Sequence, residues 1–241
     1  MPEAPDALLH DWAIAPREYA RQESRRGRRH AYAALDPTRT ALVVVDVVPF
    51  FVDENPYCRG ILPNITLLAE RLRDAGGTVA WVVPGTPPPS RWAEEFYGPE
   101  VAELFRTAGG RGTVRERLWP GFDVRPDDLQ VEKTAPSAFF PGRCDLPERR
   151  AARGVDTVLV TGTVTNVCCE SSARDASVRG YRVVMVADAN AAPDDRAHNA
   201  TLHTVYRSFG DVRPTAEVLA LLAEGRRQPG RGGVRPSGGA G

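Results

Sequence analysis

The sequence predicts one doubly wound α/β domain of three layers (α/β/α), in which a mostly parallel sheet of about six strands lies between helices. Three observations predict it. Apolar runs rich in β-branched residues, such as Ala41–Val45, indicate strands that are buried on both faces, as in parallel sheets. Segments with helical periodicity, such as Asn64–Gly76, separate these runs. The stretch Thr157–Asp188 runs strand, turn, helix, strand, the order of a βαβ unit.

The first half of the chain alternates strands and helices after Ala41–Val45. In the helix Asn64–Gly76, an apolar face is formed by Ile65, Leu68 and Leu72, and two glycines end the helix. The apolar run that follows predicts the second strand. Further along come, in order, the predicted strand Thr78–Val83, the helix Pro99–Ala108 and the short strand Leu129–Val131.

The second half repeats the alternation around the βαβ unit. A helix of small residues, whose face of Cys169, Ala173 and Ala176 allows close approach to the sheet, follows the turn. The predicted elements are, in order, the helix Leu146–Arg153, the strand Thr157–Thr161, the helix Cys168–Arg179, the strand Arg182–Val186, the helix Asp194–Ser208, the strand Gly210–Arg213 and the helix Thr215–Glu224.

Both ends of the chain differ in composition from the middle. We expect an N-terminal arm over residues 1–37, the α/β domain over 38–224 and a disordered tail over 225–241, which is rich in Gly, Pro and Arg. The arm holds the basic run Arg25–His30, for which nucleic-acid contact and a solvated surface are alternatives. A third alternative is an arm that grips a neighbouring subunit through Trp12, Ile14 and Tyr19.

Composition and missing motifs exclude several classes of protein. The formal net charge is zero, which argues against nucleic acid and anionic membranes as partners. The four cysteines have no CxxC spacing, and no signal peptide or membrane span is visible, so we expect a cytoplasmic protein with free thiols. Neither a GxGxxG nor a GxxxxGK[ST] motif is present, which indicates that there is no nucleotide cofactor. His198 and His203 lie five residues apart, which is the wrong spacing for two metal ligands on one helical face.

Three ionisable residues each follow a different predicted strand: Asp46, Lys133 and Cys168. Taken singly, they could be a turn aspartate, a surface lysine and a core thiol. Since the carboxyl ends of parallel strands share one edge of the sheet, we expect them to meet there. Together they form a nucleophilic set, in which the carboxylate takes the thiol proton and the thiolate attacks a carbonyl carbon. The start of the helix at Cys168 favours a thiolate and offers a backbone N–H to an oxyanion.

The segments VTGTVTNVCCESSARDA, VVVD and EKTAPSAFF resemble the isochorismatase-like cysteine hydrolases over about residues 38–222. The resemblance implies a catalytic triad of Asp46, Lys133 and Cys168, a cis peptide bond between Thr163 and Val164, and oxyanion donors at the N–H groups of Val164 and Cys168. It also implies a homodimer or homotetramer in which the N-terminal arm docks on a partner subunit. The family's Asp-x-His metal pattern is absent, so we expect no metal and no other cofactor.

The resemblance implies an amidohydrolase that cleaves a C–N bond of a small amide or N-carbamoyl (ureido) compound through a thioester. The segments TNVCCES and SAFF are most similar to the ureido-cleaving members. Val47-Val48-Pro49 stands where many members have a Met-Gln-Asn type run, and this departure motivates the alternative of a catalytically silent binding or assembly module. We expect a partly apolar substrate pocket walled by aromatic side chains: Phe50, Phe51, Trp92, Tyr97, Phe139 and Phe140.

Overall fold

The computed structural model describes residues 7–151 and 153–227, apart from the side chains of residues 150, 226 and 227. Within these residues one six-stranded sheet has the order β3-β2-β1-β4-β5-β6, and every pair of neighbouring strands is parallel. The strands are β1 Thr40–Val45, β2 Thr78–Pro84, β3 Leu129–Lys133, β4 Thr157–Thr163, β5 Arg182–Ala191 and β6 Asp211–Arg213. The predicted doubly wound α/β fold is thus confirmed.

Helices connect the strands and cover both faces of the sheet. They are α1 Pro16–Arg26, α2 Pro49–Val52, α3 Pro56–Gly60, α4 Leu62–Asp74, α5 Arg91–Tyr97, α6 Pro99–Thr107, α7 Val114–Arg117, α8 Leu146–Ala151, α9 Glu170–Val178, α10 Asp195–Ser208 and α11 Thr215–Arg227. Successive residues of β1 alternate between two buried clusters: Leu42 and Val44 belong to the cluster that includes α4 and α11, and Val43 and Val45 to the one that includes α9 and α10. This alternation explains why β1 is apolar at every position from Ala41 to Val45.

The strand order reverses between β1 and β4, so their carboxyl ends border a crevice. There Gly162 of β4 lies opposite Val45 of β1, with φ at 114°. A Cβ atom at Gly162 would lie 2.1 Å from the Val45 carbonyl oxygen. Only glycine permits this close approach of the two backbones, which brings the ends of β1 and β4 together.

The apolar residues of the N-terminal arm pack on the arm's own domain, and docking of the arm on a partner subunit stays a prediction. Ile14 is buried in the core cluster beside α9 and α10, and Trp12 and Tyr19 pack against that cluster. The Tyr19 ring also meets the ring of Tyr206 of α10 edge to face. In the basic run, Arg28 donates to backbone carbonyls of the same segment.

Two predicted boundaries change in the structure. The helix predicted to begin at Cys168 starts as α9 at Glu170, because the chain first makes a π-helical turn over Thr165–Cys169. The last helix continues through Gly225, which was expected to begin a disordered tail. A Cβ atom there would lie 1.9 Å from the Leu35 carbonyl oxygen, so this part of α11 lies directly against the start of the domain. Residues 228–241 lie outside the described part of the chain.

Candidate active site

Side chains from three strand ends meet at the crevice between β1 and β4. Asp46 directly follows β1, Lys133 is the last residue of β3, and Cys168 lies in the π-helical turn after β4. Lys133 Nζ lies 2.7 Å from Asp46 Oδ2 and donates to Cys168 Sγ at 3.4 Å and to the Ala135 carbonyl at 3.2 Å. Lys133 is also the chain's one lysine. The ammonium therefore holds the carboxylate and the thiol on either side of itself.

Asp46 is held in an unusual backbone conformation. Its φ is 54°, in the left-handed region that non-glycine residues rarely adopt. Its N–H donates to the Val82 carbonyl, and its own carbonyl accepts from the N–H of Val48. The side chain is buried, and among the described residues Oδ1 makes no hydrogen bond. A buried carboxylate oxygen that is free to accept a proton therefore lies at this site.

Burial sets the protonation state of the thiol. Burial raises the pKa of Cys168 to about 12. The Asp46 carboxylate raises this pKa as well, whereas the Lys133 ammonium lowers it. The pKa of Asp46 is raised by burial, and Lys133 opposes this. Burial would lower the pKa of Lys133, but Asp46 and Cys168 outweigh it and raise that pKa. Burial thus favours a neutral thiol beside the ion pair and opposes the thiolate that the start of a helix favours.

The turn between β4 and α9 carries the predicted oxyanion donors. The peptide bond between Thr163 and Val164 is cis, and Val164 and Cys168 both line the cavity described below. Thr165 makes a hydrogen bond with α10: its Oγ1 lies 2.9 Å from Nδ1 of His198, which is fully buried. Burial lowers the pKa of His198 to about 3, so this ring is neutral. The hydrogen bond between this ring and the Thr165 hydroxyl fixes the start of the turn.

The N-terminal arm reaches the back of this turn through His10. Its ring stacks between those of Tyr57 and His198, at centroid distances of 3.9 and 4.1 Å. The backbone N–H of Ala192 donates to His10 Nε2 at 3.0 Å, so the ring proton is on Nδ1, which donates to Asp195 at 2.6 Å. Sequence reasoning treated the arm as separate from the site and missed this contact. The arm gave no signal of it, since a lone His among polar residues is ordinary.

The remaining cysteines are placed differently from Cys168. Cys169 is fully buried, with Sγ 3.9 Å from the Thr161 carbonyl, in line with the structural role predicted for it. Cys58 Sγ lies 3.4 Å from Thr163 Oγ1, beneath the turn. Cys144 packs in the core cluster beside α9 and α10. Burial raises the pKa of each of these three thiols, and Cys168 is the one of the four that is partly exposed.

A cavity of about 530 Å³ opens above Asp46, Lys133 and Cys168. Its walls come from the loop after β2, from helices α5 and α6, and from the loop after β3. Pro87, Pro88 and Pro89 form much of one wall, while Glu103 and Arg106 of α6 lie along another. Sequence reasoning did not pick these residues. The proline run was a visible signal for a stiff wall, but the charged pair was not distinguishable from an ordinary helix surface.

The predicted aromatic pocket is only partly correct. Phe51 and Tyr97 line the cavity, and Phe50 lines a smaller neighbouring pocket together with Phe51 and Val164. The other three predicted residues do not line it. Phe139 is fully buried in the core cluster beside α9 and α10, and its N–H donates to Ser137 Oγ. Trp92 and Phe140 are 63% and 51% exposed, and Trp92 stacks on the ring of Phe96.

The departure after Asp46 has a structural explanation. Val47 and Val48 are buried in the core cluster beside α4 and α11, and the Val47 carbonyl accepts the N–H of Trp119. The apolar pair thus packs the domain where a polar run would face a cost of burial.

Across residues 7–151 and 153–227, no group of three His, Cys, Asp or Glu side chains is arranged to hold a metal ion. In the same residues, no helix has the length and apolar character needed to cross a bilayer.

Comparison with known proteins defines the class to which this fold and site belong. The isochorismatase domain model matches residues 40–217. An uncharacterized isochorismatase family protein of Bacillus subtilis, YwoC, is 30% identical over 192 residues, which cover 77% of this chain and 95% of that protein. The ureidoacrylate amidohydrolase RutB of Agrobacterium fabrum is 28% identical over 213 residues, covering 79% and 92%. The class is therefore that of the isochorismatase-type hydrolases.

Solved structures of related hydrolases are similar in fold to this chain. A cysteine hydrolase from Pseudomonas syringae superposes with a TM-score of 0.71 at 28% identity, covering 81% of this chain and 98% of that chain. The N-carbamoylsarcosine amidase of Thermoplasma acidophilum superposes with a TM-score of 0.61 at 25% identity, covering 73% and 96%. The chain belongs to the isochorismatase family, as the sequence motifs predicted, and its relatives include hydrolases of amide C–N bonds.

Proposed function

We propose that this protein is a cysteine-dependent amidohydrolase that cleaves a C–N bond of a small amide or N-carbamoyl compound. One observation carries the proposal. Lys133 Nζ contacts both Asp46 Oδ2 and Cys168 Sγ, and all three residues line one cavity. A thiol beside a carboxylate with a free oxygen, at a site open to a ligand, is the arrangement that nucleophilic catalysis on a carbonyl needs.

The reaction follows from the protonation states of the resting site. As Cys168 Sγ bonds to the amide carbonyl carbon, its proton passes to Asp46 Oδ1 and from there to the leaving nitrogen. The N–H groups of Val164 and Cys168 would stabilise the oxyanion of the tetrahedral intermediate. Ammonia or an amine leaves, and the carbonyl carbon remains bonded to sulfur, as a thioester from an amide or as an S-carbamoyl group from a ureido compound. Water then attacks this carbon and gives its proton through Asp46 to the sulfur. An amide yields the carboxylic acid, and a ureido compound yields a carbamic acid that breaks down to CO2 and an amine or ammonia. Lys133 remains an ammonium throughout and keeps Asp46 ionised between steps.

Ammonia release from a panel of primary amides and N-carbamoyl compounds tests the proposal. Wild type should release ammonia, and Cys168→Ala should not. Cys144→Ala is the matched control, since it removes a thiol that packs in the core outside the cavity, and it should remain active. No release from any compound by the wild type would favour the alternative, a silent binding or assembly module.

Two further predictions belong to this proposal. All four cysteines are free thiols, so a reducing compartment such as the cytoplasm suits the chemistry. The homodimer or homotetramer that the family resemblance implies stays a prediction, and the particle mass from light scattering would test it. Loss of a polar contact after Asp46, which motivated the silent alternative, is offset in part by the buried packing of Val47 and Val48.

A further inference from the structure

The cavity above the thiol is large and mostly apolar. Its volume of about 530 Å³ lies within the range of roughly 300–1,000 Å³ that holds drug-sized ligands. Beyond the three catalytic residues, most of its walls present carbon: the prolines of the loop after β2, alanines 93, 102 and 108, and the rings of Phe51, Tyr97 and Phe105. A group that fills this volume gains most of its binding free energy by leaving water.

The charges along the walls disfavour an anion. Apart from Asp46 and Lys133, which neutralise each other, the charged lining residues are Glu94, Glu103 and Arg106, two carboxylates and one guanidinium, with a net charge of −1. Arg106 is already occupied, because Nε and Nη2 donate to the two carboxylate oxygens of Glu103 at 2.6 Å each. Glu103 offsets the positive charge of Arg106 in this pair, so a second carboxylate gains little net electrostatic attraction from the guanidinium. No other Arg or Lys lies among the described residues that line the cavity.

We propose that the substrate is a neutral amide or urea that carries an apolar group, and that carboxylate-bearing ureido acids are poor substrates. The inference rests on the proposed function and narrows it. The carbonyl carbon would lie at Cys168 Sγ and the apolar group would extend between the proline wall and α6. An anionic substrate would meet Glu94 and Glu103 without a free cation to offset them, which lowers its affinity relative to a neutral compound.

Four compounds test the effect of substrate charge separately for amides and for ureido compounds. Phenylacetamide is a neutral amide, benzylurea a neutral ureido compound, succinamate an anionic amide and N-carbamoylglycine an anionic ureido compound. Each releases ammonia when its terminal C–N bond is hydrolysed. We expect kcat/KM to be at least about tenfold higher for the neutral member within each pair. A preference for either anionic member would overturn the inference and leave the proposed hydrolase intact.

The charged pair on α6 supplies a sharper test. Glu103→Gln breaks the ion pair of Arg106 and removes one negative charge, so kcat/KM for succinamate and N-carbamoylglycine should rise by about tenfold relative to kcat/KM for the neutral compounds. Glu100→Gln is the matched control, because it makes the same change on the same helix outside the cavity lining, and it should change neither class. Equal effects of the two variants would contradict the assigned role of Glu103.

A filled cavity tests the apolar half of the inference. Ala102→Phe places a ring in the cavity from α6. It should lower kcat/KM for phenylacetamide by at least about tenfold relative to acetamide, which needs little of the volume. Equal loss for both amides would contradict the assigned position of the apolar group.

A binding measurement keeps substrate class and catalysis apart. Calorimetry with Cys168→Ala should show tighter binding of phenylacetamide and benzylurea than of the two anions. If the neutral compounds bind more tightly but wild type releases no ammonia, the proposed hydrolase activity is refuted and the preference of the cavity for neutral compounds is upheld. The opposite order would overturn the inference, whether or not the enzyme is active.

Discussion

Replacing Lys133 by Met should destabilise the protein as well as inactivate it. Asp46 is 1% exposed and the Lys133 side chain 4% exposed, with 2.7 Å between their charged atoms. At that distance the attraction is about 6 kcal/mol for an effective dielectric constant of about 20. Removal of one partner from a buried ion pair costs about 3–5 kcal/mol, because the other charge is left without compensation. We expect a loss of that size in the free energy of unfolding at pH 8, measured by urea denaturation.

The pH dependence of this loss identifies its cause. Burial already raises the pKa of Asp46 above its usual range, and the absence of Lys133 would raise it further. A carboxyl whose pKa is higher in the folded than in the unfolded state binds its proton more tightly when folded, so stability increases as the pH falls through the folded-state pKa. The deficit of Lys133→Met relative to wild type should therefore shrink steadily from pH 8 towards pH 5.

A second substitution supplies the control. Asp46→Asn combined with Lys133→Met replaces the ion pair by two neutral side chains of similar size, and it should recover much of the lost stability at pH 8. The reasoning is refuted if the single variant is as stable as wild type at pH 8. It is also refuted if the single and double variants unfold at the same urea concentration at every pH.

Three more predictions concern the thiol, the sheet and the arm. Because the pKa of Cys168 is raised to about 12, its alkylation by iodoacetamide should be slow at pH 7 and should rise by about tenfold per pH unit up to pH 10. Gly162→Ala should cost more than about 3 kcal/mol, whereas Gly154→Ala, at φ 67° with nothing within 4 Å of a Cβ atom, should cost about 1–2 kcal/mol in urea denaturation. His10→Ala should cost about 2 kcal/mol because it removes the ring that stacks on His198, and kcat for ammonia release should fall with it.

Each of these three has an outcome that would contradict it. A labelling rate for Cys168 that is already at its plateau near pH 7 would mean that the thiolate is the resting form. Equal costs for the two glycine variants would show that β1 and β4 can separate at their carboxyl ends. A His10→Ala variant with unchanged kcat and a lower melting temperature would limit the arm to a structural role.

The fold was predictable because its main signal is local. A strand buried on both faces is apolar at every position, as in Ala41–Val45, and that pattern needs no knowledge of the neighbours. The meeting of Asp46, Lys133 and Cys168 was predictable for a similar reason, since each ends or follows a parallel strand and the sheet brings such ends to one edge. Which strands are neighbours was not needed for that inference.

The walls of the cavity could not be predicted in this way. Phe139 and Phe140 are adjacent and chemically alike, yet one is buried in the core and the other is 51% exposed, a difference that the local sequence does not indicate. The protonation of Cys168 was also missed. A helix start favours a thiolate, but the burial that opposes it depends on how the whole crevice is closed.

Chemical modification of the Lys133 amine can be used to follow unfolding of the protein. The sequence contains one lysine, so reagents that modify amines have a single side-chain target. In the folded state that amine is enclosed by Asp46, Cys168 and the Ala135 carbonyl. Because Lys133 is 4% exposed and is held as an ammonium ion, an acylating reagent should add to it much more slowly in the folded than in the unfolded protein. The rate of addition would measure how often the ion pair opens.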